Sequence, residues 1–217
     1  MKPFKPPVPY ATNSLIGLCV AVESALTLAG PAFGLRTVEL LALIPARIDA
    51  VIAGLESPWA MGTLASHIFL HAGWLHLGLN MMFLLWVGRY VEWVTGRLGV
   101  LALFLIGGVV GGALQVAVAP HSAGAVVGAS GAIAAIFGAY ATLFARSQAQ
   151  SRIVLGVRIS GETLTALWLA AAWIGLQLLT ALVFNNGTGG FAIWTHIGGF
   201  LVGLVIGRFW GRGPQIS

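Results

Sequence analysis

Long apolar runs recur along the chain and constrain its fold more than any other feature of the sequence. A helix that spans a bilayer needs about 20 predominantly apolar residues, and six segments come near that length. Only 8% of the 217 residues are charged, whereas 58% are hydrophobic and the mean hydropathy is +0.93. A soluble domain carries about 25% charged residues, so this chain has too little charge to face water on all sides. The sequence predicts an all-α, polytopic membrane protein.

The predicted spans form one bundle in which a long loop separates the first two helices. Residues 36–73 are apolar but interrupted by charged residues and prolines, so we predict short amphipathic helices at the membrane surface rather than a further span. The six predicted spans are residues 11–29, 74–94, 98–118, 130–144, 163–184 and 193–210. The predicted organisation is a tail of residues 1–10, a single six-helix domain of residues 11–212 and a tail of residues 213–217.

Lysine and arginine are concentrated at one end of these spans. With the amino terminus in the cytoplasm, nine of the eleven basic residues fall on the cytoplasmic side, as the positive-inside rule requires. We therefore predict a multi-pass protein of the cell membrane (inner or plasma membrane) with both termini in the cytoplasm. The basic residues are scattered among loops instead of forming a stripe, which argues against a nucleic-acid partner and leaves the lipid bilayer as the partner. The cytoplasmic set is Lys2, Lys5, Arg89, Arg97, Arg146, Arg152, Arg158, Arg208 and Arg212.

The fourth predicted span is shorter than the membrane is thick. Residues 130–144 give about 22 Å of helix, against a hydrocarbon core of about 30 Å. Because Arg146 fixes one end at the cytoplasmic surface, Ser130 at the other end must lie below the outer surface. The glycine-containing segment before it is then non-helical backbone at membrane depth, which is tolerated only inside protein or beside a water-filled cavity. We expect a cavity open to the non-cytoplasmic side, with Ser130 at its floor.

A histidine begins the sixth predicted span at about the same depth as Ser130. Glycines and alanines follow both residues at helical spacing, among them Gly131, Gly199 and Gly203, and such small residues let membrane helices approach closely. We predict that Ser130 is a nucleophile and His196 the general base that takes its proton. No acidic residue lies near His196 in the sequence, so the arrangement would be a dyad rather than a triad.

A second pair of polar residues lies at the same predicted depth on the second span. His76 and Asn80 are four residues apart and share a helical face. A tetrahedral intermediate needs donors for its negative oxygen, and backbone N–H groups at a helix start also provide them. We predict that the oxyanion is supported by His76, Asn80, Gly128 and Ser130.

Three motifs that contain these residues resemble the rhomboid family of intramembrane serine proteases. They are H-x-x-x-N at His76 and Asn80, G-x-S-G at residues 128–131, and H-x-x-G-x-x-x-G at residues 196–203. The similarity extends from about residue 61 to residue 207. It implies the same roles for Ser130, His196, His76 and Asn80. It also implies structural roles for His71 in the long loop, and for Glu92 with Gly88 and Gly96.

The resemblance further implies the substrate: single-span membrane proteins cut near the outer end of their transmembrane helix. Substrates would reach the site laterally between the second and fifth helices, with residues 185–190 as a mobile lid. No cofactor and no metal is expected, and the oligomeric state is left open. The chain departs from the family at Gly62-Thr63, where many members have Trp-Arg, and at Ala134, where many have an aromatic residue that packs on the histidine. We expect Phe137, one turn on, to compensate in part.

The sequence leaves two other functions open. One is an inactive rhomboid-like protein that binds transmembrane helices without cutting them, although such relatives typically lack the serine or the histidine. The other is a small transporter with His67, His71 and His76 as metal ligands, since the first two are spaced for one helical face. Against a transporter, no carboxylate lies close to these three histidines in the sequence and no inverted repeat is evident.

Overall fold

The computed structural model describes residues 7–144, 152–154, 157–161, 163–164, 167–168, 171, 175 and 192–210. Most of these residues are helical. Two short 3₁₀ turns, Pro58–Gly62 and His67–Phe69, lie in the long loop. The helices are α1 Tyr10–Ala29, α2 Pro31–Leu41, α3 Pro45–Ile52, α4 Thr63–Ser66, α5 Trp74–Val118, α6 Ser130–Phe144 and α7 Ile193–Ile206.

The described helices coincide with five of the six predicted spans. The first span is α1, the second and third lie within α5, the fourth is α6 and the sixth is α7. In the described ranges, α1 and α5 are long and apolar enough to cross a membrane, whereas α6 and α7 are shorter apolar helices. The fifth span, residues 163–184, lies mostly outside the described residues, so the count of six spans stays a prediction.

Helix α5 is broken at Gly96, which has a φ of 73° inside an otherwise helical run of 45 residues. Glycine adopts a positive φ without the steric cost that other residues meet. The first half, residues 74–95 (α5a), runs parallel to α6. Its start lies beside the start of α6, where His76 approaches Gly128. Its last turns lie beside the end of α6, where the rings of Tyr90 and Phe144 are 6.2 Å apart.

The second half of α5, residues 97–118 (α5b), runs in the opposite direction. Its start packs against the segment that follows α7, because a Cβ on Gly99 would lie 3.3 Å from the Trp210 ring. Its later turns pack against the start of α7, where Gly111 meets the backbone of Thr195. The chain therefore reverses at Gly96, and α5 is a helical hairpin rather than one long rod.

Helices α6 and α7 pack with their backbones in contact. A Cβ on Gly199 would overlap the carbonyl oxygen of Gly131, and a Cβ on Gly203 would overlap that of Ala135. The close approach expected from the small residues is thus present, and glycine is the residue that permits it. Because the two helices are parallel and in register, the starts of α6 and α7 lie together at one end of the bundle.

The start of α1 is held by a buried carboxylate on α5a. Glu92 accepts hydrogen bonds from the backbone N–H groups of Ala11 (2.9 Å) and Thr12 (2.8 Å) and from the Thr12 hydroxyl (2.7 Å). The first N–H groups of a helix have no acceptor within it, and a negative charge there also favours the helix dipole. Gly88 makes room for this contact, since a Cβ would lie 2.9 Å from the Thr12 methyl group.

The loop between α1 and α5 contains short helices, as predicted, although they begin earlier than expected, at Pro31. Its backbone is joined to the segment that precedes α6. Leu43 and Val126 exchange two hydrogen bonds, of 3.1 and 2.8 Å, and Ala46 N–H donates to the Ser122 carbonyl at 3.0 Å. The loop therefore positions the segment that leads into Ser130.

The all-α prediction needs one correction. Strands β1 (Arg152–Val154) and β2 (Val157–Ile159) form an antiparallel pair between α6 and α7. Both strands are rich in valine and isoleucine, whose branched side chains favour extended backbone. The segment is too short to change the mainly helical class.

Candidate active site

Ser130 and His196 lie together at one end of the bundle. Ser130 is the first residue of α6, and His196 is in the first turn of α7. The Ser130 Oγ and the His196 Nε2 are 2.7 Å apart, which is the distance of a good hydrogen bond to a hydroxyl. The serine hydroxyl can therefore donate its proton directly to the imidazole.

The second nitrogen of His196 has no carboxylate partner in the described ranges. If Nε2 accepts the serine hydrogen, Nδ1 must carry the ring proton. Nδ1 is buried and makes no hydrogen bond with the part of the chain that the structure describes. Among the residues that the structure describes, the geometry is that of a serine–histidine pair without the acidic residue of a triad.

Gly128 brings the backbone close to both the serine and a second histidine. Its φ is 127°, in the region that favours glycine. A Cβ at this position would lie 2.8 Å from Cε1 and 3.1 Å from Nε2 of His76, and 3.8 Å from the Ser130 Oγ. Gly128, Ser130 and His76 thus surround one small volume.

The hydrogen bond that His76 Nδ1 accepts determines which nitrogen of this ring carries the proton. The Ala72 N–H donates to His76 Nδ1 at 3.2 Å, so in the neutral ring the proton is on Nε2. Nε2 is the nitrogen near Gly128. His76 therefore presents an N–H toward the site.

Asn80 lies one turn further along α5a and is buried. Its side-chain amide donates to the His76 carbonyl at 2.9 Å. An amide has two N–H donors, so this bond leaves a second one. The start of α6 offers more donors: the first i to i−4 bond described there is from Ile133 to Ala129, which leaves the earlier backbone N–H groups without acceptors in the helix.

The two other histidines of this region lie in the loop outside the spans. Burial, with a smaller contribution from His76, lowers the pKa of His71 to about 4, and its ring is edge-on to that of His76 at 5.3 Å. Burial also lowers the pKa of His67 to about 4. Both rings are therefore neutral near pH 7.

His67, whose spacing in the sequence suggested only a possible metal ligand, is a positioning residue in the structure. Its Nδ1 lies 2.9 Å from the Thr63 carbonyl, so this nitrogen is the donor. Its own carbonyl accepts the Gly128 N–H at 3.0 Å. His67 therefore connects the loop to the backbone two residues before Ser130. The H-x-x-x-H spacing of His67 and His71 marks both residues in the sequence. A spacing of side chains does not predict a hydrogen bond to the His67 main-chain carbonyl.

The two departures from the family pattern have structural consequences. At the first, Thr63 is buried and its hydroxyl donates to the Ala60 carbonyl at 2.6 Å, so this position anchors the loop through its own hydrogen bonds. At the second, a Cβ on Gly199 would lie 3.4 Å from the Ala134 methyl group. Ala134 thus helps α7 to approach α6. The Phe137 ring packs against Trp86, at 6.2 Å.

In the described ranges, no three His, Cys, Asp or Glu side chains form a group that could hold a metal ion. His67 Nδ1 is engaged with the backbone and its ring lies beside Gly112, whereas His71 faces His76. The three histidines of the transporter alternative are therefore not gathered into such a group.

Comparison with known proteins places the chain in a family. The model of the Rhomboid domain matches residues 58–213. The chain is 31% identical over 155 residues to Rhomboid-like protein 11, chloroplastic, of Arabidopsis thaliana, covering 69% of this chain and 52% of the relative. It is 30% identical over 147 residues to RHOMBOID-like protein 5 of the same plant, covering 66% and 42%. It is 46% identical over 77 residues to human Rhomboid-related protein 3, covering 35% and 18%.

The chain belongs to the rhomboid family, and the resemblance seen in its three motifs is confirmed. It spans about half or less of the length of these relatives. Membership and the apolar helices identify a membrane protein. They support either a rhomboid-type intramembrane protease or an inactive relative of one.

Proposed function

We propose that this protein is an intramembrane serine endopeptidase that cuts single-span membrane proteins near the outer end of their transmembrane helix. The observation that carries the proposal is the 2.7 Å contact between Ser130 Oγ and His196 Nε2, at a helix start and beside the N–H of a second histidine. An inactive helix-binding relative has no need of such a contact. A serine hydroxyl becomes an effective nucleophile when an adjacent base takes its proton.

The first half of the reaction forms an acyl-enzyme. Ser130 Oγ attacks the scissile carbonyl carbon while its proton passes to His196 Nε2. The carbonyl oxygen becomes an oxyanion, which accepts hydrogen bonds from His76 Nε2–H, the free N–H of Asn80 and the backbone N–H groups at the start of α6. The C–N bond then breaks, and His196 gives its proton to the departing amine.

The second half of the reaction restores the enzyme. A water molecule attacks the ester carbon as His196 Nε2 takes one of its protons. The same donors hold the new oxyanion. The bond to Ser130 Oγ then breaks, the proton returns from His196 to Oγ, and the product leaves with a carboxylate.

The membrane arrangement belongs to the same proposal. Six spans with both termini in the cytoplasm follow from the charge distribution, and they direct the site to the non-cytoplasmic side. The short α6 starts below that surface, so water must reach Ser130 through a cavity. The lateral path beside the fifth helix and the lid at residues 185–190 lie mainly outside the described residues.

Labelling with a fluorophosphonate probe in detergent tests the proposal. The probe phosphonylates an activated serine, so we expect mass spectrometry to place the label on Ser130. Ser130→Ala should abolish labelling and His196→Ala should reduce it at least a hundredfold. Ser14→Ala, at an exposed serine of α1, should label as the natural protein does. Equal labelling of Ser130→Ala and the natural protein would show that the activated serine is elsewhere or absent.

A further inference from the structure

Arg89 lies in a polar cluster at the end of the bundle opposite Ser130. It is half-buried on α5a, seven residues before Gly96, or about 10 Å along the helix. Its Nη2 donates to the Tyr90 hydroxyl at 3.1 Å, and its guanidinium carbon is 4.7 Å from the centre of the Tyr90 ring. Its Nε is buried and has no hydrogen-bond partner in the described ranges.

A second tyrosine, from α6, completes the cluster. The rings of Tyr140 and Tyr90 are 6.0 Å apart, and their planes meet edge to face at 61°. Tyr90 therefore contacts both the Arg89 guanidinium and the Tyr140 ring. The other ring neighbours of Tyr140 are apolar or indole surfaces, with Phe144 at 4.9 Å and Trp86 at 6.5 Å. A guanidinium and two phenols thus gather in otherwise apolar surroundings between α5a and α6.

The charge around this cluster is positive. Arg97 and Arg208 lie at the same end, and Arg97 stacks on the Tyr10 ring at 4.5 Å. The carboxylate that the described residues place at this end is Glu92, and both its oxygens are occupied by the start of α1. An arginine in a membrane helix is costly unless it is paired or reaches the interface. Arg89 therefore lacks an anion that the described residues could supply.

We propose that Arg89, Tyr90 and Tyr140 bind the phosphate of an anionic phospholipid in the leaflet at the Gly96 end of the bundle. The guanidinium fork matches two phosphate oxygens, and each phenol can donate one further hydrogen bond. Tyrosine is favoured at headgroup depth, and basic residues attract anionic lipid there. The aromatic floor would accommodate the first part of the lipid chains. This site is separate from the proposed proteolytic site and does not depend on it.

Thermal unfolding of the purified protein in a neutral detergent tests this site. We expect dioleoyl phosphatidylglycerol to raise the unfolding temperature in a saturable way. Dioleoyl phosphatidylcholine and inorganic phosphate at equal concentration should not. Arg89→Gln should weaken the apparent affinity for phosphatidylglycerol about tenfold, the effect of losing one charge-assisted hydrogen bond. Arg36→Gln, which removes the same charge from the exposed face of α2, should leave it unchanged.

Two further variants separate binding from folding. Tyr140→Phe keeps the ring and removes the hydroxyl, so it should weaken lipid binding severalfold while the unfolding temperature without lipid stays the same. Arg89→Lys keeps the charge without the planar fork and should give an intermediate affinity. Equal responses of the natural protein, Arg89→Gln and Arg89→Lys would overturn the proposal. A response to inorganic phosphate that equals the lipid response would overturn the assignment to a lipid.

Discussion

Gly128 and His76 are in such close contact that a single methyl group on Gly128 would lie 2.8 Å from the His76 ring. The contact joins the segment before Ser130 to the start of α5a. It also directs the Nε2–H of His76 toward the small volume beside Ser130.

Gly128→Ala should reduce kcat of substrate cleavage by at least a hundredfold, because the new methyl group displaces His76 and strains a backbone with a φ of 127°. The check is cleavage of a transmembrane model substrate in detergent. Gly54→Ala is the matched control, since Gly54 also has a positive φ of 74° but has open space where the Cβ would be. Similar losses in both variants would mean that backbone strain, and not contact with His76, explains the effect.

Asn80→Ala should be milder than Ser130→Ala or His196→Ala. Loss of one oxyanion donor typically lowers kcat about 10²–10³-fold, while His76 and the backbone donors remain. KM for the transmembrane substrate should change little, because the donor acts on the transition state. A variant that lost affinity but kept kcat would assign Asn80 to substrate binding or helix packing instead.

Gly199→Val should separate α7 from α6, because a side chain at this position overlaps the Gly131 carbonyl. We expect both a lower unfolding temperature and loss of probe labelling at Ser130, since the 2.7 Å contact needs close helices. Gly17→Val on α1, where a Cβ meets nothing within 4 Å, should be tolerated. Full labelling of Gly199→Val would show that the helices can adjust without separating the pair.

Glu92→Gln should destabilise the fold by about 1.5–3 kcal/mol, the usual effect of losing a hydrogen bond to a charged group. In the natural protein the carboxylate accepts hydrogen bonds from the Thr12 N–H and hydroxyl. A glutamine amide could place its own N–H opposite these two donors. Equilibrium unfolding in detergent measures the effect. Glu39→Gln, at an exposed position of α2, should stay within about 0.5 kcal/mol of the natural protein.

Stability should decrease as the pH falls from about 6.5 toward 4. The folded pKa values of His67 and His71 are lowered from 6.5 to about 4 by burial. Between these pH values the unfolded chain binds protons that the folded chain does not bind. The free energy of unfolding therefore decreases as the pH is lowered. Each histidine contributes up to about 1.4 kcal/mol per pH unit. The unfolding temperatures at pH 7.5 and pH 5 should differ less for His67→Gln than for the natural protein. An unchanged difference would show that His67 does not contribute to the pH dependence of stability.

Local sequence pattern predicted several of the helix starts and contacts around the candidate site. The start of α6 at Ser130 followed from an apolar run, whereas the depth of Ser130 in the membrane stays a prediction. Small residues at helical spacing predicted that α7 would approach α6. The spacing of His76 and Asn80 placed both on one face of α5a. Periodicity and length predict helix starts and shared faces because the geometry of a helix determines which nearby residues lie on the same face.

Other features depend on contacts between segments that are distant in the chain. No pattern in the sequence indicates that the His67 carbonyl accepts the Gly128 N–H, since every residue has a carbonyl. The strands β1 and β2 are too short for a period-two pattern to distinguish them from a loop. The grouping of Arg89 with Tyr140 needs α5a and α6 to be adjacent and parallel.

The sequence alone determined that this chain is a mainly helical membrane protein with a serine and a histidine at the starts of two apolar segments, because hydropathy and residue type are local properties. The tertiary structure decided which nitrogen of His76 faces Ser130, which backbone groups hold the loop, and that Oγ and Nε2 are 2.7 Å apart. Those are relations between segments, and they are fixed only when the helices pack and their glycines allow the backbones to meet.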